Sequence, residues 1–86
     1  MKILYSRGFL KQASKLPKQI QTKLDTLIAL LIKNPFHPSL HSKPLSGDLS
    51  MMYSFRIARD WRVIFCFEDK ENIKLLRVGN RKDIYR

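Results

Sequence analysis

Cysteine, acidic residues and long apolar runs are all scarce in this 86-residue chain. Cysteine occurs once, at Cys66, so no internal disulfide can form and no Cys/His pair offers a metal site. A reducing cytoplasm is the expected compartment. Met1-Lys2 runs directly into Ile3-Leu4-Tyr5, which is not a secretion signal. No apolar run approaches the ~18 residues that span a bilayer, so no membrane partner is expected. Neither a metal nor a small-molecule cofactor is expected.

The shortage of acid matters most. Asp and Glu total 7 against 17 Lys and Arg, a formal charge of +10 on a very small body. Such a field draws polyanions and speeds association with them. The basic residues are spread along the chain rather than gathered in a tail, which predicts a charged globular surface. The length suits one domain, residues 1–86, and 44% hydrophobic residues suffice for one core without metal or disulfide support.

Residues 2–5, Lys-Ile-Leu-Tyr, read as a strand. Ser6 suits an N-cap for a helix in which Phe9, Ala13 and Leu16 recur at helical spacing. Pro17 suits the first position of a second helix, where its missing N–H costs nothing. Ile20, Leu24, Leu27, Ile28 and Leu31 form that helix's apolar stripe, and Asn34-Pro35 ends it. Residues 34–50 hold three prolines, both histidines and Gly47, and read as a loop. Beyond Met51 the period becomes two. Tyr53 to Ile57, Trp61 to Glu68 and Ile73 to Val78 read as strands joined by turns at 58–60 and 69–72. The expected fold class is α+β, in the order β-α-α-β-β-β, with a helical hairpin on one face of a largely antiparallel sheet.

Side chains two apart in a strand share a face. Pointing Phe55, Ile57, Val63, Phe65, Leu76 and Val78 at the helices turns Arg56, Arg62, Arg77 and Arg81 to the other side. By the same parity Ile64, Cys66, Ile73 and Leu75 join them there. Such a mixed surface calls for a cover, either a bound partner or the returning C-terminus.

The segments "LSGDLSMMYSFRIARDWRVIFCF" and "LLRVGNRKDIYR" together resemble the RelE/ParE superfamily of bacterial and archaeal toxins. The resemblance rests on Leu45-Ser46-Gly47, Tyr53 to Ile57, Asp60 to Phe65 and Val78-Gly79-Asn80-Arg81 with Tyr85, in that order and at matching gaps. It implies the toxin of a type II toxin–antitoxin pair, with a separate antitoxin protein as partner. Many members are endoribonucleases that cut mRNA on the ribosome. A minority branch inhibits DNA gyrase instead, and a third alternative is an inactive relative that only binds its antitoxin.

Metal-independent RNA cleavage uses the substrate's own 2′-hydroxyl as nucleophile. The resemblance marks Arg62 and Arg81 for gripping the scissile phosphate, Arg56 for support and Tyr85 for proton transfer or for stacking on a base. Lys43, Arg59, Arg77, Lys82, Lys11 and Lys15 are the expected RNA-backbone contacts. Asn80 departs from the pattern, because many relatives carry a histidine there and Asn cannot exchange a proton. His37 and His41 lie in the loop before Lys43, from which either can approach the site. Asp60 and Asp83 read as turn formers or ion-pair partners.

Overall fold

The computed structural model describes residues 1–85. Its elements are β1 (Lys2–Tyr5), α1 (Arg7–Ala13), α2 (Lys18–Lys33), β2 (Lys43–Pro44), β3 (Tyr53–Ala58), β4 (Trp61–Phe67) and β5 (Asn72–Asn80). Short 3-10 helices at Pro38–Leu40 and Gly47–Leu49 interrupt the loop. The five strands lie in the order β1-β5-β4-β3-β2. β1 runs parallel to β5, and every other pairing is antiparallel. The helical hairpin thus carries the chain from one edge of the sheet to the other, and β2 to β5 step back as a meander. This is the α+β plan expected from the pattern, with one two-residue strand, β2, added inside the loop.

Ser6 caps α1 as expected: its Oγ accepts from the Phe9 amide at 3.0 Å. Gln21 Nε2 donates to the carbonyls of Ala13 and Leu16 at 3.2 and 3.0 Å, tying α2 to the open end of α1. Pro17 sits one place earlier than expected, before α2 rather than inside it, with an extended ψ of 144°. The stripe of α2 is buried at Leu24, Leu27 and Leu31, flanked by Ile20 and Ile28. These side chains meet Phe9, Leu40, Phe55, Ile57, Val63 and Phe65 in the main core.

The expected parity fails on β5. Ile73 and Leu75 belong to the core under the helices, not to the open face, while Leu76 is only half-buried. The cause is a bulge. Ile64 pairs with Arg77 but Phe65 pairs with Leu75, which leaves Leu76 as one extra residue that reverses the alternation. The Leu76 carbonyl accepts from Ser6 Oγ at 2.9 Å, and the Val78 amide donates to Gln12 Oε1 at 3.0 Å. Side chains from both ends of α1, Ser6 at its cap and Gln12 in its last turn, therefore take over the edge of β5 where β1 stops.

The opposite face is covered by the chain's own end. Ile64 and Ile84 are both buried yet lie outside the main core. The amides of Asp83 and Ile84 donate to the Asn80 carbonyl at 2.9 and 3.0 Å, so the chain turns back after β5. Arg77 Nη1 lies 3.4 Å from the Ile84 carbonyl, on that same face.

Candidate functional site

β3 and β4 are joined by a tight turn at Arg59-Asp60, and the register of their ladder sets Arg56 directly opposite Arg62. Two guanidinium groups in one cross-strand pair repel each other. The ladder slips one residue beyond them, between Arg56 and Ala58, so Ile57 is accommodated as a second irregularity beside the arginines. Trp61 pairs with Asn80, which brings Arg81 to the same end of the sheet. There the Arg81 amide donates to the Asp60 carbonyl at 2.8 Å, and Arg81 Nε lies 3.5 Å from Asp60 Oδ1. Asp60 is thus the turn former and ion-pair partner expected. The pair is about half exposed, and its contribution to stability is small.

Arg62 is held more firmly. Its Nη1 donates to the carbonyls of Ala58, Arg59 and Trp61 at 2.7, 2.9 and 3.1 Å. One nitrogen of the fork is fixed by the turn, leaving Nη2 and Nε to present donors outward. Partial burial depresses the Arg62 pKa, with Arg56 and then Arg81 adding to the effect while Tyr85 and Asp60 oppose it. Arginine starts so high that the group stays charged. These influences show that Arg56, Arg81 and Tyr85 all lie within electrostatic reach of Arg62.

The resulting cleft has a volume of about 460 Å³. Arg56, Arg59, Arg62 and Arg81 line it, together with Lys23 and Leu27 of α2 and with Ser39 and His41 of the loop. Tyr85 stands on the turn after β5, with 38% of its surface exposed. The structure therefore brings Arg56, Arg62 and Arg81 together on one cleft, while Tyr85 lies near Arg62 but outside the cleft's lining. Lys82 is exposed in the same turn as Arg81, and Lys43 is exposed on the edge strand β2, two residues beyond His41.

Three expected contacts lie elsewhere. Arg77 points away from the helices as expected but lines a separate hollow of about 340 Å³ with Gln12, Asp83 and Ile84. The covering turn, which the strand pattern left unplaced, separates it from the other arginines. Lys11 and Lys15 are exposed on α1 and the joint that follows, and line no part of the cleft. Lys23 and Ser39 were not anticipated. Lys23 lies one turn before Leu27 on α2, at the margin of the apolar stripe, and that position was its one signal in the sequence. Of the two histidines, only His41 reaches the cleft.

Several solved structures share this architecture. A YoeB/ParE toxin from Agrobacterium tumefaciens superposes with a TM-score of 0.80 at 18% identity, covering 93% of this chain and 98% of the other. YafQ from E. coli gives 0.80 at 25% identity, covering 94% and 93%. The toxin–antitoxin complex RelBE2 from Mycobacterium tuberculosis gives 0.78 at 22% identity, covering 93% and 96%. No curated protein matches the sequence. No helix among the described residues is long and apolar enough to cross a membrane. A family model described as the ParE-like toxin of type II bacterial toxin–antitoxin systems matches residues 3–86, and the chain belongs to that family.

Proposed function

We propose that this toxin is an endoribonuclease that cuts mRNA, on the ribosome, by transesterification at phosphorus. The observation that carries this reading is the convergence of Arg56, Arg62 and Arg81 on one cleft, with Tyr85 in electrostatic reach of Arg62. Cations crowded together with a single acid among them are unfavourable until an anion arrives, and a phosphodiester is the anion their planar forks fit.

In the proposed step the substrate's 2′-oxygen attacks the adjacent phosphorus. A bond forms between O2′ and P, the bond from P to O5′ breaks, and the products end in a 2′,3′-cyclic phosphate and a 5′-hydroxyl. Arg62 and Arg81 hold the phosphoryl oxygens and stabilise the charge that builds on them. Such a donor contributes about 10²–10³ in rate. The turn carbonyls that grip Arg62 orient it in advance, so little ordering is left to be done when substrate binds. Tyr85 takes the 2′-proton as its phenolate, which becomes the neutral phenol. Arg59, Lys43 and Lys82 contact the backbone and give salt-sensitive affinity without sequence information. The charge is supplied by the protein's own side chains, so cleavage is expected to survive a chelator.

The antitoxin is the second partner. The RelBE2 structure is a toxin–antitoxin complex of the same fold, and an antitoxin segment carrying acid would complement the charge of +10. Cytoplasmic action follows from the substrate.

Expression of the toxin without antitoxin tests the reading. Growth should stop, and primer extension on a translated transcript should show new 5′ ends within codons. A second reading, inhibition of DNA gyrase without bond cleavage, is favoured by Asn80, which cannot carry a proton at the position where many relatives have histidine. Intact transcripts beside altered plasmid supercoiling would decide for it.

A further inference from the structure

The two histidines of the loop after α2 are placed very differently. His37 is half-buried, and its Nδ1 accepts from the Ser39 amide at 3.1 Å, so it serves as the cap of the short helix Pro38–Leu40. The ring of His41 makes no hydrogen bond among the described residues. His41 lines the basic cleft beside Arg56, Arg59, Arg62, Arg81 and Lys23. The chain then enters β2, whose Lys43 pairs with Ser54, two residues from Arg56 on β3.

Its backbone is also unusual. His41 has φ 51° and ψ 41°, the left-handed region, which costs an ordinary residue on the order of 1 kcal/mol. The neighbours hold it in that shape. Leu40 is fully buried, the His41 amide donates to the Pro38 carbonyl at 3.2 Å, and Ser42 Oγ donates to the Pro35 carbonyl at 2.7 Å. A residue in the left-handed region that also lines the cleft, its ring without a hydrogen bond among the described residues, is an outlier of the kind that points to function.

We infer that His41 is the second proton carrier of the cleft, the acid that protonates the departing 5′-oxygen. The inference rests on the endoribonuclease reading above. As the bond from P to O5′ breaks, the electron pair stays on O5′ and takes the proton from the imidazolium, leaving a neutral ring. The 2′-proton goes to Tyr85, and exchange with water resets both groups. No other residue lining the cleft suits this task. Arg56, Arg59, Arg62 and Arg81 do not release protons at neutral pH, and Asp60, beside the cleft rather than in its lining, is paired with Arg81. Histidine alone among these types both gives and takes a proton near neutrality. Asn80 then loses its force as an argument against cleavage, because the proton is delivered from the loop after α2 instead.

The test is single-turnover cleavage of mRNA on programmed ribosomes by the wild-type toxin, H41N and H41G across a pH series. Asn and Gly both accept positive φ, so the loop keeps its shape in either variant. Both should bind the ribosome as wild type does yet cleave about a hundredfold more slowly at neutral pH. The wild-type rate should fall on the alkaline side of its pH profile, and the variants should lack that fall. Free imidazole should restore part of the rate to H41G. Wild-type rates and an unchanged pH profile in both variants would overturn the inference and leave the ribonuclease reading standing. A slow H41G that keeps the wild-type pH profile and ignores imidazole would show a structural role and overturn it equally. A wild-type toxin that cuts no transcript would instead remove the reading beneath it.

Discussion

Arg56 and Arg62 face each other as direct cross-strand partners on β3 and β4. Like charges in that relation are destabilising by about 0.2–1 kcal/mol. The free protein accepts this cost at the same place where Arg81 and Arg59 also converge. R56Q should therefore raise the melting temperature by a few degrees at low salt, and the gain should shrink as salt screens the repulsion. Calorimetry at two ionic strengths checks this. A melting temperature that falls at low salt would mean that Arg56 holds the strands together rather than straining them.

Arg62 serves the fold as well as the site. Its Nη1 closes the turn between β3 and β4 through three carbonyls, a geometry that an ammonium on a flexible stem does not reproduce. R62K should lose about 1 kcal/mol of stability and cleave little better than R62A. Denaturant unfolding and single-turnover cleavage, measured on the same preparations, separate the two effects.

The bulge at Leu76 depends on two side chains at opposite ends of α1. Without Gln12 Oε1 the Val78 amide loses its acceptor, and without Ser6 Oγ both the Leu76 carbonyl and the α1 cap lose a partner. Q12A and S6A should each cost roughly 1–2 kcal/mol in urea unfolding. Their effects should add to more or less than the sum in the double variant, since both act on one strand edge.

Asp69 ties the turn between β4 and β5. Its carboxylate accepts from the Asn72 side chain at 2.9 and 3.0 Å, and from the amides of Glu71 and Asn72 at 2.8 and 2.9 Å. These bonds, the Asn72 side chain foremost, hold its pKa below the usual carboxylate range. A depressed folded value means stability that is present above the unfolded value of about 3.9 and lost as pH falls through the folded one. D69A should accordingly melt below wild type at neutral pH, and the gap should close in acid. A gap constant across that range would remove the carboxylate from the account.

Much of this was legible in the sequence, and the failures have physical causes. The stripe of α2 was plain because Leu24, Leu27 and Leu31 repeat over a full helix. That Arg56 and Arg62 share a face was legible because parity holds along β3 and β4 up to their shared turn, but that α2 would border their cleft was not. On β5 parity broke at Leu76. That bulge is secured by Ser6, 70 residues away, so no local pattern announces it. His41, Ser39 and Lys23 reach the cleft through the docking of the loop and α2 on the sheet. Periodicity within a strand carries no information about such an approach. Arg77 shows the converse: its direction was read correctly, but the turn that walls it off was only one of two covers considered.

The most direct measurement is the rate and product of mRNA cleavage on programmed ribosomes by wild type, R81A and Y85F. The account predicts fragments ending in a 2′,3′-cyclic phosphate and a 5′-hydroxyl. It also predicts a loss of about a hundredfold or more in both variants, with ribosome binding changed far less. Fragments with other termini, or cutting undiminished in R81A and Y85F, would contradict it.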